Sequence, residues 1–206
     1  MDTEPVRIRL ATPDDAEGVR AVYAPYVRDT AIVFAYEPPT ADEQRAAIED
    51  TAARYPFLVA ERAGHVAGFA CAHAFEGFPA YDWNAETTLY VARDLRGYGI
   101  GSRLHDALEA CLRAQGVLAM DACIAVTATP DEHLTNASQR FHKRRGYRLC
   151  ATFPQCGYKF GRWYDMIWME RAIGERTPNP RPFTPAPETH LDQVLERWEA
   201  ANSTRR

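Results

Sequence analysis

The chain has 206 residues, of which 46% are hydrophobic and 25% charged, and its formal net charge is −4. This balance is typical of one globular domain and excludes a disordered chain, a collagen-like fibre and a coiled coil. The acidic excess also argues against a nucleic-acid partner, because proteins that bind nucleic acid usually carry a basic excess.

Targeting and redox features favour the cytoplasm. Charged residues interrupt every apolar run well short of the roughly 20 residues that a membrane-spanning helix needs. Residues 1–5 lack the basic and apolar segments of a signal peptide. The five cysteines are scattered, with no Cys-x-x-Cys pair and no histidine at zinc-ligand spacing, and are interpreted as reduced thiols. We expect a cytoplasmic protein with no membrane partner and no metal.

Hydrophobic periodicity and turn residues predict alternating strands and helices. In chain order these are a strand over residues 6–10, a helix from residue 12, a strand-like stretch and loop over 30–39, a helix over 40–54, strands over 57–62, 65–75 and 84–91, a helix over 100–116, a strand over 121–129, a helix over 134–145, and strands over 147–153 and 157–171. Thr12 with Asp15, and Thr40 with Glu43, are capping boxes that begin the first two helices. The predicted fold is α/β, with a mixed, mostly antiparallel sheet, helices on both faces and one strand-helix-strand crossover.

The composition changes after residue 173. Residues 1–173 are predicted to form the domain, and residues 174–206 a proline-rich tail that ends in a short amphipathic helix. The apolar face of that helix carries Leu191, Val194, Leu195 and Trp198. Packing on the chain's own domain or on a twin subunit is favoured over docking on another partner. Because the core pattern closes at residue 171, we expect the domain to fold without the tail.

A glycine-rich turn between a strand and a helix is the strongest chemical signal. Gly97, Gly99 and Gly101 remove side chains that would block close approach, and the backbone N–H groups at a helix N-terminus then face an anion such as a pyrophosphate. A Rossmann fingerprint requires a glycine where Ser102 stands, and a Walker A loop requires a lysine that is absent.

The arrangement of Arg96, Gly99 and Gly101 resembles the Arg-x-x-Gly-x-Gly pyrophosphate loop of the GNAT superfamily of N-acetyltransferases. Four further blocks resemble its phosphinothricin N-acetyltransferase branch, in the same order along the chain: residues 34–38, 54–61, 80–91 and 157–165. The resemblance covers about residues 7–171. It implies the GNAT fold, acetyl-coenzyme A as cosubstrate, a homodimer, and acetyl transfer to the primary amine of a small molecule, possibly an amino-acid analogue of the phosphinothricin or methionine sulfoximine type.

The resemblance also implies which residues bind the coenzyme. These are Leu89, Tyr90, Val91, Arg96, Gly97, Tyr98, Gly99, Ile100, Gly101, Ser102, Thr135, Asn136, Ser138, Phe141 and Arg144. Asn136 and Ser138 resemble a pair that hydrogen-bonds the pantetheine arm, although Thr135 takes the usual asparagine position. Arg144 lies in a basic run that either neutralises the 3′-phosphate or forms a solvated helix face.

Two residues are candidates for the chemistry. Glu86 lies on the predicted strand 84–91, and a carboxylate flanked by Tyr81, Trp83 and Tyr90 would have a raised pKa suited to a general base. The alternative is a merely solvated or ion-paired carboxylate, and the resemblance places the family's glutamate at Glu86. The resemblance likewise places at His142 the proton donor to the thiolate, and an imidazole titrates near neutrality. A surface histidine that stabilises a helix C-terminus is its alternative interpretation.

Phe34, Phe78 and Tyr81 are predicted to bind the acceptor. Phe78 stands where the resembled branch has an arginine, and a phenyl ring cannot pair with a carboxylate or phosphinate. We therefore expect a less anionic amine than phosphinothricin, unless Lys159 or Arg162 supplies the missing cation.

Other functions remain open from the sequence. A protein N-terminal or lysine acetyltransferase would need an open peptide groove. A non-catalytic coenzyme A binding module would keep the glycine turn but would not need Glu86. An interaction protein that works through its tail helix would leave the turn unexplained.

Overall fold

A computed structural model describes residues 5–203. Its elements, in chain order, are β1 (Arg7–Leu10), α1 (Ala16–Asp29), α2 (Ala41–Ala52), β2 (Phe57–Arg62), β3 (His65–Ala74), β4 (Asn84–Val91), α3 (Ile100–Gln115), β5 (Ala119–Val126), α4 (Ala137–Arg144), β6 (Arg148–Lys159), β7 (Arg162–Ala172) and α5 (Leu191–Ser203). The strands form one sheet in the order β1-β2-β3-β4-β5-β7-β6. The predicted mixed sheet is confirmed.

The only parallel pair within residues 5–203 is β4 with β5, and α3 is the crossover between them. Its register covers just Asn84–Ala119, Ala85–Met120 and Glu86–Asp121. Beyond Glu86 the two strands diverge, although β4 continues to Val91 and β5 to Val126. We call this gap the wedge.

Helices cover both faces of the sheet. Leu104, Leu108 and Leu112 recur every four residues along α3, so they share one face, and they pack on one side of the sheet. On the other side, Val19 and Ile48 of α1 and α2 pack on strand residues that include Phe57 and Phe69. No helix within residues 5–203 is both long enough and apolar enough to cross a bilayer.

Both predicted capping boxes are confirmed. The Asp15 carboxylate accepts from the Thr12 backbone N–H at 2.8 Å, at the start of the turn that leads into α1. At α2 the Thr40 hydroxyl accepts from the Glu43 N–H at 3.2 Å, and the Glu43 carboxylate accepts from the Thr40 N–H at 2.7 Å. These side chains satisfy backbone groups that the first helical turn leaves unpaired.

The strand-like stretch predicted after α1 is wrong. Residues 30–40, all within the described part of the chain, form bends instead. The carbonyl groups of Val33 and Ala35 turn inward and accept hydrogen bonds from the Lys159 ammonium, each at 2.8 Å. Carbonyl groups engaged in this way cannot form a strand ladder.

Three predictions in the second half also differ from the structure. Strand β5 covers Ala119–Val126 rather than residues 121–129. Helix α4 starts at residue 137 rather than 134, because Asn136 adopts φ +57° and its side chain binds the backbone of Thr127. The break predicted near residues 154–156 is a bulge within β6, where Gln155 has φ +48°. The hairpin turns instead at Phe160 and Gly161, whose φ values of +49° and +75° are typical of a tight two-residue turn.

The tail packs on its own domain, as the favoured interpretation predicted. Leu191 and Leu195 of α5 are 3% and 6% exposed and belong to the core cluster on the α3 face. The Gln115 side chain donates to the carbonyl groups of Arg54 and Thr184, at 2.8 and 3.0 Å, which joins α3, the turn between α2 and β2, and the tail. The domain boundary at residue 173 stays a prediction.

Candidate active site

The glycine-rich turn, β4 and α4 enclose a cavity of about 370 Å³, which we call the loop cavity. It contains these predicted site residues: Leu89, Tyr90, Val91, Arg96, Gly97, Gly99, Ile100, Gly101, Ser102, Ser138, Phe141, His142 and Arg144. Tyr26, Ile32, Leu95 and Ala137 also line it and were not predicted. The structure thus brings most of the predicted coenzyme residues around one space.

The turn needs glycine for its backbone shape. Gly97 and Gly99 have φ values of +87° and +80°, a region that residues with a Cβ rarely adopt. Helix α3 then begins at Ile100, and the first N–H groups of a helix have no acceptor in a preceding turn. Those groups and the helix dipole make this wall of the cavity suited to a phosphate.

Arg96 is fixed beside the turn by Tyr26. Its Nε donates to the Tyr26 hydroxyl at 3.0 Å, and its guanidinium lies 4.9 Å from the centre of the Tyr26 ring. The Tyr26 hydroxyl in turn donates to the Val91 carbonyl at 2.5 Å. The sequence did not indicate that Tyr26 lines the site, because its spacing in α1 is that of an ordinary core residue.

A second cavity, of about 70 Å³, lies in the wedge and contains Glu86; we call it the wedge cavity. Ile32, Leu89, Tyr90, Ser138 and His142 line both cavities. The glycine-rich turn and Glu86 therefore lie at the far ends of two adjoining cavities.

Burial raises the pKa of Glu86. Across the sheet Glu86 is opposite His73 on β3, and burial lowers the pKa of that imidazole, so the neutral ring forms no ion pair with the carboxylate near neutrality. Such a carboxylate accepts a proton more readily than an exposed one. The geometry therefore favours the general-base interpretation of Glu86 over a solvated or ion-paired carboxylate.

Only one of the three aromatic residues expected beside Glu86 lines the wedge cavity, namely Tyr90. The Trp83 indole donates to the Arg181 carbonyl at 2.8 Å in the tail. The Tyr81 ring packs on Phe75, with ring centres 5.9 Å apart. Cys123 of β5 lines the cavity instead, which the sequence could not indicate because strand divergence sets which residues face the gap.

His142 lies at the junction of the two cavities but does not titrate near neutrality. Burial lowers its pKa to about 4. The hydrogen bond with the Ser138 carbonyl opposes this shift but is the smaller effect. The contact of 2.9 Å between Nδ1 and that carbonyl requires the proton on Nδ1, so Nε2 is an acceptor in the neutral ring. The expected imidazolium donor is not supported by this environment.

Three predicted coenzyme residues lie outside both cavities. The Asn136 side chain is occupied by Thr127, at 2.7 and 3.0 Å, and serves the loop before α4. Thr135 accepts a hydrogen bond from Arg140 through its carbonyl. Tyr98 is 71% exposed and contacts the Arg62 guanidinium across its ring.

The predicted acceptor residues do not line either cavity. Phe78 is 69% exposed, and Phe34 packs against Gly157. Tyr81 is connected to the site through a row of rings, since Phe75 contacts Trp168 at 5.5 Å and Trp168 is opposite Cys123 in the sheet. Tyr81, Phe75 and Trp168 thus form a row of aromatic rings that leads to the wedge.

Neither cation proposed as a replacement anion anchor is free. The Lys159 ammonium donates to three carbonyl groups. The Arg162 guanidinium donates to the Asp131 carboxylate at 2.5 Å and to the Thr127 hydroxyl at 2.9 Å. Both therefore stabilise the fold around the site.

A third cavity adjoins the loop cavity and shares three lining residues with it. It has a volume of about 390 Å³ and is lined by Ser102, Phe141, Arg144, Arg145 and Arg171; we call it the arginine pocket. Arg145 pairs with Asp106 and Arg171 with Glu109. These pairs engage the carboxylates of the one His/Asp/Glu group in residues 5–203 that is close enough to hold a metal ion, His105 with Asp106 and Glu109.

Comparison with known proteins identifies the class. The sequence profile of the family described as "Acetyltransferase (GNAT) domain" matches residues 8–168, which is well over half of the chain. The chain therefore belongs to the GNAT family of acetyltransferases, and its mixed sheet with the diverging β4 and β5 is the GNAT fold.

Similar proteins indicate which branch of the family the chain resembles. A phosphinothricin N-acetyltransferase of Streptomyces viridochromogenes is 35% identical over 89% of this chain and 96% of its own length. An L-methionine sulfoximine/L-methionine sulfone acetyltransferase of Pseudomonas aeruginosa is 37% identical over 79% of this chain and 92% of its own. The crystal structure of a phosphinothricin acetyltransferase from Sinorhizobium meliloti, in complex with acetyl-coenzyme A, covers 90% of this chain and 98% of its own with 28% identity and a TM-score of 0.78. The chain is an N-acetyltransferase similar to this branch.

Proposed function

We propose that the protein transfers an acetyl group from acetyl-coenzyme A to the primary amine of a small amino-acid-like molecule. The observation that carries this proposal is the arrangement of the two adjoining cavities, one walled by the phosphate-binding turn and the other by Glu86. The printed activities of the relatives, on phosphinothricin and on methionine sulfoximine, support the acceptor class.

The turn and the diverging strands would hold the cosubstrate. Backbone N–H groups from Gly97 to Gly101 bind the pyrophosphate, and the wall shared by the two cavities guides the thioester toward Glu86. Arg144 lines both the loop cavity and the arginine pocket, which supports a role for its guanidinium in binding the 3′-phosphate.

Glu86 supplies the base. Its carboxylate takes a proton from the substrate ammonium, and the free amine attacks the thioester carbonyl carbon. A C–N bond forms and the C–S bond breaks. The acylated nitrogen loses its second proton as it becomes the amide, and the departing thiolate takes up one proton to become the free thiol. At neutral pH the neutral His142, with its proton directed to Ser138, forms the wall at the cavity junction and does not act as an imidazolium donor.

The acceptor is expected to be less anionic than phosphinothricin. Phe78 offers a phenyl ring, and Lys159 and Arg162 are engaged by the fold. The aromatic row of Tyr81, Phe75 and Trp168 would favour an apolar side chain on the acceptor.

Release of free coenzyme A thiol across a panel of amines tests the proposal. The panel contains phosphinothricin, methionine sulfoximine, neutral aliphatic and aromatic amines, and peptides with free N-terminal or lysine amines. We expect turnover with small amines, and an apolar one as the best acceptor. Turnover with peptides alone would establish the protein acetyltransferase alternative, and coenzyme binding without any turnover would establish the binding module.

We also propose that the protein is a homodimer and lies in the cytoplasm. Acetyl-coenzyme A as cosubstrate and five free cysteines within residues 5–203 fit the cytoplasm. Strand β6 is an edge of the sheet and exposes Leu149 and Phe153, at 58% and 46%, which suits pairing with a second copy. Light scattering after size exclusion would measure the mass of the particle in solution.

A further inference from the structure

Lys159, at the end of β6, carries a buried charge that acetyl transfer does not use. The residue is 4% exposed, and its ammonium donates to the carbonyl oxygens of Val27, Val33 and Ala35, at 2.6, 2.8 and 2.8 Å. An ammonium has three N–H groups, so every donor is used. Within residues 5–203 no carboxylate forms a salt bridge with it. The three carbonyl groups solvate the charge, and the centre of the Phe160 ring lies 5.3 Å from Nζ.

The three carbonyl groups come from two segments. Val27 lies in the last turn of α1, where carbonyl groups lack helical partners and the helix dipole favours a cation. Val33 and Ala35 lie in residues 30–36, which we call the acceptor loop. One side chain from β6 therefore fixes both the end of α1 and the loop that follows it.

The surroundings leave the loop little freedom to pack in another way. The Phe34 ring covers Gly157 so closely that a Cβ there would lie 2.2 Å from Phe34 Cε2. On the other side of the hairpin turn, the Phe160 ring stacks on His133 with centres 3.8 Å apart. Ile32 of the acceptor loop lines the wedge cavity together with Glu86.

We propose that Lys159 is a positioning residue, which holds the acceptor loop in the conformation that keeps Ile32 beside Glu86 in the wedge cavity. Lys159 acts through the backbone of the loop and makes no contact with the acceptor. The inference rests on the proposed acetyl transfer for its kinetic part only.

The kinetic test is Lys159→Met, which keeps an apolar chain and removes the three donors. Because the phosphate-binding turn stays intact, we expect the acceptor KM to rise at least about tenfold. The Kd for acetyl-coenzyme A, whose loop cavity Ile32 also lines, should rise at least about threefold less than the acceptor KM. The matched control is Arg45→Met, an exposed cation on α2 that lines neither cavity, with both constants unchanged. An unchanged acceptor KM in Lys159→Met, or a parallel rise of both constants, would overturn the proposal.

A structural test does not depend on activity. Amide hydrogen exchange of the ligand-free protein should be at least about tenfold faster in residues 30–36 of Lys159→Met than in Arg45→Met, with α3 unchanged. Equal exchange in the two variants contradicts the positioning role, even if the wild type proves to acetylate nothing.

Lys159→Arg keeps the charge and provides an informative variant should Lys159→Met not fold. Its guanidinium can still donate to carbonyl groups, so acceptor KM and loop exchange should rise together and by less than in a variant without donors. A raised KM with wild-type exchange in the loop would instead show direct contact with the acceptor, and would sink the positioning role.

Discussion

Glu86 lies where β4 and β5 part, and burial raises its pKa. Only the ionised carboxylate can accept a proton, so kcat/KM should fall as the pH drops through this raised pKa. Glu86→Gln keeps size and hydrogen bonding but removes basicity, and we expect turnover about a hundredfold lower and loss of that acidic limb. Stopped assays from pH 5 to pH 9 measure both effects. Turnover within a few-fold of wild type, with the limb intact, would place the base elsewhere.

Asp121, the β5 partner of Glu86, should make the free energy of unfolding depend on pH. Burial and the nearby charge of Glu170 raise its pKa from 3.8 to about 6, against a hydrogen bond from Asn84 that lowers it. Between about pH 4 and pH 6 the folded protein binds more protons than the unfolded chain at this site, so this contribution to the free energy of unfolding falls as pH rises.

Asp121→Asn should remove this fall in the free energy of unfolding, because an amide does not ionise. Urea denaturation at pH 4, 5, 6 and 7 is expected to show a smaller decline for the variant than for the wild type across this window, and a more stable variant at pH 7. Identical pH dependence in the two proteins would show that the carboxyl ionises normally in the fold.

Phe78 is the residue at which acceptor choice can be tested directly. Phe78→Arg introduces a cation at an exposed position in the loop that precedes β4, where an ion pair with a carboxylate or phosphinate is worth about 0.2–1 kcal/mol, at most about fivefold in kcat/KM. We expect that gain on phosphinothricin and none on a neutral amine. Efficient use of phosphinothricin by the wild type, or no gain from the arginine, would contradict the assignment.

At this scale the sequence predicted residues whose chemistry is visible in their type. The glycines and Glu86 have few other uses in such a pattern. Tyr26 has the spacing of an ordinary core residue in α1, and Ile32 lies in the irregular loop that follows it, so neither was indicated as a site residue. The pKa of His142 depends on burial against Phe141 and Tyr147, and burial depth cannot be read from neighbouring letters.

The glycine-rich turn is an element with a matched control elsewhere in the fold. Gly99 and Gly64 have φ values of +80° and +74°, and a Cβ at either position would meet nothing within 4 Å. Valine should therefore strain both backbones alike, but only Gly99 lines the loop cavity. We expect Gly99→Val to weaken acetyl-coenzyme A binding by at least about tenfold, or ~1.4 kcal/mol, and Gly64→Val to leave it unchanged.

Calorimetry on both folded variants provides the comparison. Unchanged affinity in Gly99→Val would remove the turn from the coenzyme site.

Elements were predicted well where local signals govern them. The capping boxes and the leucines of α3 act within one or two turns of the chain. The failures share a cause: the carbonyl groups of residues 33 and 35 bind Lys159, more than 120 residues away, and Asn136 bonds back to Thr127. Tertiary partners overrode local preference in each place.

At the scale of the whole molecule, the tail is packed into the core of the domain that it follows. Leu195 is buried in the core, so Leu195→Ala should lower the free energy of unfolding by about 2–4 kcal/mol, whereas Gln193→Ala on the exposed side of α5 should change it by less than about 0.5 kcal/mol. Removal of residues 174–206 should lower the free energy of unfolding more than Leu195→Ala does, contrary to the expectation from the pattern of the core. Urea denaturation of the three proteins measures this. A truncated protein as stable as the full chain would show that α5 contributes no net stability.

The contact between β1 and α5 also has a consequence for how the protein is made. Ile8 and Leu195 share one core cluster although almost the whole described chain separates them. In a nascent chain, the part of this core cluster that Leu191 and Leu195 cover therefore stays exposed until residues 191–198 have been made, and until then it is open to chaperones or to other unfinished chains. Closure over so long a span also slows folding relative to a helical bundle, because the entropy of the intervening chain is lost before the contact forms.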